Sequence, residues 1–264
     1  MTWYTGDPIY DTILAIGFGY ALLVIIGGFF GTASYGVTAS AKLRFNFDSR
    51  WGWFLMELPA TLSFFFFYFK GKNSMEAVPL FFLFVWTVHY ANRGYIFPLL
   101  MRIAKGMKGD FHVSVVVLGV LVTTLHGYLN ATFITEFGEQ YTLSWFTDPR
   151  FVIGVIIYYT GFSMNIYSDW ILRNLRTKEE AAAGENVFRI PHGGFFRWIS
   201  AASYFTEILS WVGFALMTWS LGAVFVLLVT AGNLVPRSFR IHKWYQEKFP
   251  DYPKDRKALI PFIC

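Results

Sequence analysis

The chain has 264 residues, of which 55% are hydrophobic, 21% aromatic and only 15% charged, where an average soluble chain carries about 25% charged residues; a soluble globule could not bury so much apolar surface, so an integral membrane protein is expected. A single Cys, at position 264, excludes a disulfide scaffold and a Cys-based metal cluster, and it misses the prenylation pattern. The net charge of +5 would suit nucleic acid, but in a membrane protein it points first to loops facing anionic lipid, so no nucleic-acid partner is expected.

A spanning helix takes about 20 mostly apolar residues. Seven stretches qualify in chain order: 9–30, 52–69, 78–100, 113–134, 151–171, 199–219 and 221–239. No basic region precedes the first, so it reads as a retained helix rather than a cleaved signal peptide. Between the last two a tight turn near Ser220 predicts a helical hairpin. The fold class is therefore an all-α integral membrane protein, a single domain over 1–264 whose seven transmembrane helices enclose a cavity.

Orientation follows from the cations. With the N-terminus outside (lumenal), the inner segments collect Lys42, Arg44, Arg50, Arg102, Lys105, Lys108, Arg173, Arg176, Lys178, Arg189, Arg197 and seven more beyond residue 236, eighteen of the 22 Lys and Arg. The outer segments hold Lys70, Lys72 and Arg150, and Arg93 lies inside a span. The positive-inside rule places the C-terminus in the cytoplasm. The basic segments 172–198 and 236–264 read either as solvated loops or as a cytoplasmic mouth for a polyanion such as a nucleotide phosphate. RIPHGG at 189–194 and FPDYPKDRK at 249–257 are turn chemistry.

Ionisable side chains within spans cost about 2.5–3.5 kcal/mol each on insertion scales and are functional candidates. Glu57 lies in the second span; His89, Tyr90 and Arg93 in the third; Asn165 and Asp169 in the fifth; Glu207 in the sixth. His242 and Tyr245 are expected to follow the seventh. Asn165, Asp169 and Arg173 recur every four residues with Arg176 three later, so they share a helix face, as do His89 and Arg93. An Asp169–Arg173 ion pair and a buried Glu57–Arg93 salt bridge are the structural alternatives, and His126 reads as a satisfied core histidine. Burying Glu57, Arg93, Asp169 and Glu207 separately would cost about 10 kcal/mol, as much as a domain's whole stability, so one hydrated cavity is expected. Such a cavity fits an enzyme or a transporter. No Rossmann or P-loop signature is present, so a nucleotide would be held by helix-borne side chains.

The stretches NIYSDWILRNLR (165–176), RIPHGGFFRWIS (189–200), EILSWVGFALMTWS (207–220) and DYPKDRKALIPFI (251–263), with FLMELP (54–59) and VHYANRGYIFPLL (88–100) upstream, closely resemble the steroid 5α-reductase family over about 50–264. The resemblance implies NADPH as cofactor and a lipophilic 3-oxo-4-ene steroid as substrate, with hydride transfer to carbon 5 and protonation at carbon 4. Tyr90 and Glu57 match the positions that hydrogen-bond the ketone oxygen, and negative charge developing there needs such donors. The cofactor positions carried over are Arg93, Asn165, Asp169, Arg176, Glu207, Arg237, His242 and Tyr245, with Ser203 standing where the family has Asn. Substrate-side residues thus fall within about 50–110 and the NADPH-binding part within 151–264. Met56 replaces a family Gln, Phe97 a Tyr, and Phe188 a Tyr on the cofactor's adenine side; these departures bear on substrate and cofactor affinity. The segment 177–187 is longer than the family pattern.

What the resemblance implies, then, is a multi-pass monomer in lipid, in a bacterial inner membrane or the endoplasmic reticulum. A reductase of another enone or enoyl lipid, such as a polyprenyl chain or enoyl-CoA, is the near alternative. A membrane methyltransferase of the isoprenylcysteine type, or a transporter, stands further off.

Overall fold

The protein is represented by a computed structural model that describes residues 4–31, 45–105, 111–185 and 187–264. The inner cations Lys42, Arg44 and Lys108, and Asn186 of the 177–187 segment, lie outside the described residues. All seven predicted stretches are helical. They are α1 (Pro8–Phe30), α2 (Ser49–Tyr68), α3 (Ala77–Tyr90) running on through a π-helical turn (Ala91–Ile96) into α4 (Phe97–Leu100), α5 (Val113–Thr132) with its own π-helical turn (Phe133–Phe137), α6 (Pro149–Asn174), α8 (Ala202–Thr218) and α9 (Leu221–Lys248). Four of these runs, Pro8–Phe30, Val113–Phe137, Pro149–Asn174 and Leu221–Lys248, are long and apolar enough to cross a membrane. The three that fall short are the ones carrying Glu57, Arg93 and Glu207, and α8 has 17 residues.

Two departures from the predicted elements concern the polar segments. Within 172–198, where only loop was expected, α7 (Lys178–Ala183) forms behind a capping box in which Thr177 and Glu180 bond each other's backbone. The final helix continues nine residues past the predicted 239 to Lys248, so His242 and Tyr245 ride on α9 instead of following it. A short antiparallel pair, β1 (Asn46–Phe47) with β2 (Phe111–His112), is the one sheet among the described residues.

Helix starts follow capping rules. Asp7 and Asp148 accept from backbone N–H groups of the first turn, each with Pro directly behind it at N1. The predicted hairpin forms between α8 and α9: Trp219 takes the left-handed region at φ 50° and Ser220 caps α9 through Ala223 N.

The most extensive packing is α6 on α8, then α2 on α5. Small residues allow the first. A Cβ at Gly161 would stand 2.6 Å from Ser210 N, and one at Gly213 2.6 Å from Tyr158 Cα, so no side chain fits at either crossing. In lipid, where apolar burial alone does not hold helices together, such close backbone approach is a main source of association. It sets Asn165 and Asp169 of α6 opposite Ser203 and Glu207 of α8. The central core is aromatic: Phe64 stacks on Trp86 at 4.5 Å, and Trp86 lies 5.7 Å from Phe214.

His126 departs from its expected role. It is buried on α5 beside Phe225, 5.3 Å between rings, and neither ring nitrogen has a hydrogen-bond partner among the described residues. It is a core histidine, but not a satisfied one.

Candidate active site

Five ionisable side chains from four helical runs meet in the interior. Glu57 is buried on α2, and Tyr90, 2% exposed, ends α3. Arg93 sits in the π-helical turn that follows, pressed against α2 so closely that a Cβ at Gly94 would lie 3.1 Å from that of Glu57. Asp169 comes from α6 and Glu207 from α8. π-helical turns are rare and concentrate at functional sites, because the wider winding re-aims side chains that α-helical spacing would separate.

Arg93 is the hub. Its Nη1 lies 3.5 Å from Asp169 Oδ2, and its guanidinium is set over Trp53 at 4.7 Å and Phe97 at 4.9 Å. Glu57 and Glu207 both stand within electrostatic reach of it, and Glu57 within reach of Tyr90. Neither the Asp169–Arg173 pair suggested by spacing nor the alternative Glu57–Arg93 salt bridge is at salt-bridge distance: Asp169 pairs across the bundle with Arg93 rather than along its helix with Arg173, and Glu57 stays within electrostatic reach of the same guanidinium. A buried carboxylate gains more from a guanidinium enclosed with it than from an arginine one turn nearer solvent.

Beside this cluster, His89, 2% exposed, fills the space between α6 and α8. Its Nε2 lies 3.4 Å from Glu207 Oε1, and its Nδ1 3.2 Å from the Tyr158 hydroxyl. Trp211 Nε1 donates to the same Glu207 Oε1 at 2.9 Å.

Asn165 connects the cluster to a second one. Its amide donates to Ser203 O at 2.8 Å, so Ser203 contributes a backbone carbonyl. One residue on, the hydroxyl of Tyr204 accepts from Arg237 Nε at 2.7 Å. Tyr245 stacks on Tyr252 with rings 5.3 Å apart and 12° from parallel. Ser200 Oγ bonds His242 Nδ1 at 2.6 Å and Tyr252 OH at 2.5 Å.

The segment 251–263 is tied into this group. Ile199 and Lys257 form a parallel bridge, with Ser200 N donating to Lys257 O at 2.9 Å and Lys257 N to Trp198 O at 2.8 Å. Arg256 is 4% exposed under Tyr252, and its Nε and Nη1 have no hydrogen-bond partner among the described residues. Arg176 stands apart from both clusters, exchanging guanidinium-to-carbonyl bonds with Arg102 at 2.7 and 3.0 Å. Phe188 lies edge-on to Trp244 at 5.2 Å, and Met56 O accepts from Thr123 at 2.8 Å.

Sequence spacing missed several members. Trp211 was legible as the i+4 neighbour of Glu207 on one helix face. Tyr158 and Tyr204 carried no local signal, because their partners lie on other helices.

Together the groups offer an uncharged phenol and a carboxyl at one place, a charged and amide-bearing wall beside it, and a second polar cluster carrying buried arginines. The sequence matches the family model for 3-oxo-5-alpha-steroid 4-dehydrogenase over residues 109–264. It is 37% identical to rat 3-oxo-5-alpha-steroid 4-dehydrogenase 1 over 93% of this chain and 92% of the relative. Identity to the human protein of that name is 36% over 87% and 85% of the two chains. With steroid 5-alpha-reductase DET2 of Solanum lycopersicum it is 34% over 80% and 79%. The methyltransferase and transporter readings fall away on these matches. The chain belongs to the 3-oxo-5-alpha-steroid 4-dehydrogenase family.

Proposed function

We propose that this protein is an NADPH-dependent steroid 5α-reductase that reduces the 4,5 double bond of 3-oxo-4-ene steroids. One observation carries the reading: in a chain of this family, Glu57, Tyr90, Arg93, Asp169 and Glu207 converge from separate helices on one buried place. Tyr90 donates its phenolic O–H to the steroid ketone, and Glu57 donates to the same oxygen in its carboxylic-acid form. Both hydrogen bonds strengthen as the oxygen gains charge, the condition for lowering the barrier. NADPH, when bound, supplies the hydride that adds to carbon 5. A proton adds to carbon 4, so the product gains two hydrogens.

The donor set suits that cofactor. Asn165, Asp169 and Glu207 offer amide and carboxylate groups for the carboxamide and ribose hydroxyls. The buried Arg237 and Arg256 offer guanidinium groups for phosphate, with His242 and Tyr245 in the same cluster and Arg176 held apart from it against Arg102. Asp169 limits the charge of Arg93 close to the ketone site. In the membrane the reading is seven spans, with the N-terminus outside and the basic end, where the cofactor enters, in the cytoplasm.

The test uses purified protein in detergent with NADPH and testosterone. Loss of reduced-nicotinamide absorbance together with a 5α product heavier by two hydrogens is expected, and both should vanish in Glu57→Gln. NADPH binding without steroid turnover would move the substrate to another enone lipid. No NADPH binding would sink the reading.

A further inference from the structure

His89 has no part in the chemistry above, yet it is among the most deeply buried polar side chains of the molecule. Its Nε2 has no hydrogen-bond partner among the described residues, and such a group in a helical interior needs a reason. Tyr158 supplies half of one. A tyrosine hydroxyl has a single proton, and two acceptors lie near it, His89 Nδ1 at 3.2 Å and Val85 O at 3.5 Å. Donation to the nearer one makes Nδ1 the acceptor nitrogen and puts the imidazole proton on Nε2. That nitrogen stands 3.4 Å from Glu207 Oε1, an ion-pair distance, without the alignment of a hydrogen bond.

Trp211 already donates to that same oxygen. With Trp211 donating to Oε1 from the same helix and His89 Nε2 standing against that oxygen from another, the rotation of the carboxylate is set and Oε2 is left directed elsewhere. We propose that His89, with its tautomer set by Tyr158, is a positioning residue that orients Glu207 so that Oε2 receives a hydrogen bond from the nicotinamide cofactor. The inference rests on the cofactor reading given above.

The test measures the NADPH dissociation constant of the purified full-length protein in detergent, by quenching of tryptophan fluorescence, and the steroid kcat at saturating NADPH. His89→Ala should weaken NADPH binding about tenfold, the loss expected for one hydrogen bond to a charged group, while kcat changes less than about twofold. His89→Gln, whose amide N–H reaches the Nε2 position, should restore most of the affinity. Glu207→Gln should weaken binding too, and adding His89→Ala to it should cost nothing further. If the two losses simply add, or if His89→Ala binds like the parent protein, His89 does not act through Glu207 and the proposal is overturned. Should His89→Ala fail to fold, Tyr158→Phe removes one hydroxyl and carries the same test, with an expected loss of about threefold. If the unaltered protein binds no NADPH, the cofactor reading itself fails, an outcome distinct from normal binding that is indifferent to His89.

Discussion

Where α8 stops, Tyr141 donates to Thr218 O at 2.5 Å and Trp145 Nε1 to Met217 O at 3.0 Å, and nearby Tyr10 donates to Leu129 O at 3.0 Å. Aromatic side chains there close off the carbonyls that helix ends leave over. Toward the other end of α8, Arg93 meets Asp169 only at 3.5 Å, and His89 meets Glu207 only at 3.4 Å. The first region uses its hydrogen-bonding capacity to hold helices together. The second keeps charged groups close without bringing them to full contact. Contacts of this length stabilise less than the short bonds where α8 stops, so the site end is expected to open first.

The sharpest way to break this contrast is to remove one partner of the buried ion pair. Asp169→Ala removes the carboxylate paired with Arg93, leaving Glu57 and Glu207 in its electrostatic reach, and should lower stability by about 3 kcal/mol, read as a fall in the thermal unfolding midpoint in detergent; an unchanged midpoint would mean that the site end carries no such tension. Tyr90→Phe should do the reverse, leaving stability within about 1 kcal/mol while lowering kcat about a hundredfold, as loss of an oxyanion donor does. Unchanged turnover would remove Tyr90 from the ketone site. At the closed end, Tyr141→Phe should cost about 1–3 kcal/mol by stranding a buried carbonyl, with kcat unaltered. A loss of turnover there would show that the two regions are not separable.

The smallest effect is outside the spans. Hydrogen bonds from Arg189, then from the Thr177 backbone, hold the Glu180 carboxyl at about 2, against an ordinary 4.5. A depressed carboxyl stabilises above its unfolded value and loses that contribution as pH falls through its folded one. The protection factor of the amides over 177–185, exchange corrected for its intrinsic pH dependence, should therefore be constant above about pH 4.5 and fall progressively between there and about pH 2. A profile flat across that range would detach Glu180 from the ordering of the segment.

Lipid makes helices legible. Because a bilayer demands internally bonded backbone, the apolar stretches and the Ser220 turn could be placed to within a few residues. Charged positions could be enumerated for the same reason, since each is costly. Their pairing could not be read. The Arg93–Asp169 contact joins residues 76 apart, and spacing along one helix had favoured Arg173. The predicted end of α9 at 239 failed because a change from apolar to polar sequence marks the edge of lipid, not of the helix. His126 looked like an ordinary core histidine, since nothing in its neighbours reveals that both nitrogens lack partners. Several departures from the family pattern have local consequences that only the fold displays. Phe97 places a ring against Arg93 where a tyrosine would add a hydroxyl, and the Ser203 side chain matters less than its carbonyl.

The π-helical turn at Ala91–Ile96 separates foldability from function in an unusual way. Such a turn accommodates about one residue more than the α-helix it interrupts. Deleting a single residue within it could restore uninterrupted α-helix from Ala77 to Leu100, a change a helix tolerates well. Residues beyond the turn would keep nearly their angular position, because the wide turn and the α-helical turn replacing it each complete one revolution, but inside the turn a deletion at Ala91 or Asn92 would re-aim Arg93 away from Asp169 and Glu57. The shortened protein would be the more regular helix and the poorer catalyst, so in this run of sequence length itself is a specificity determinant.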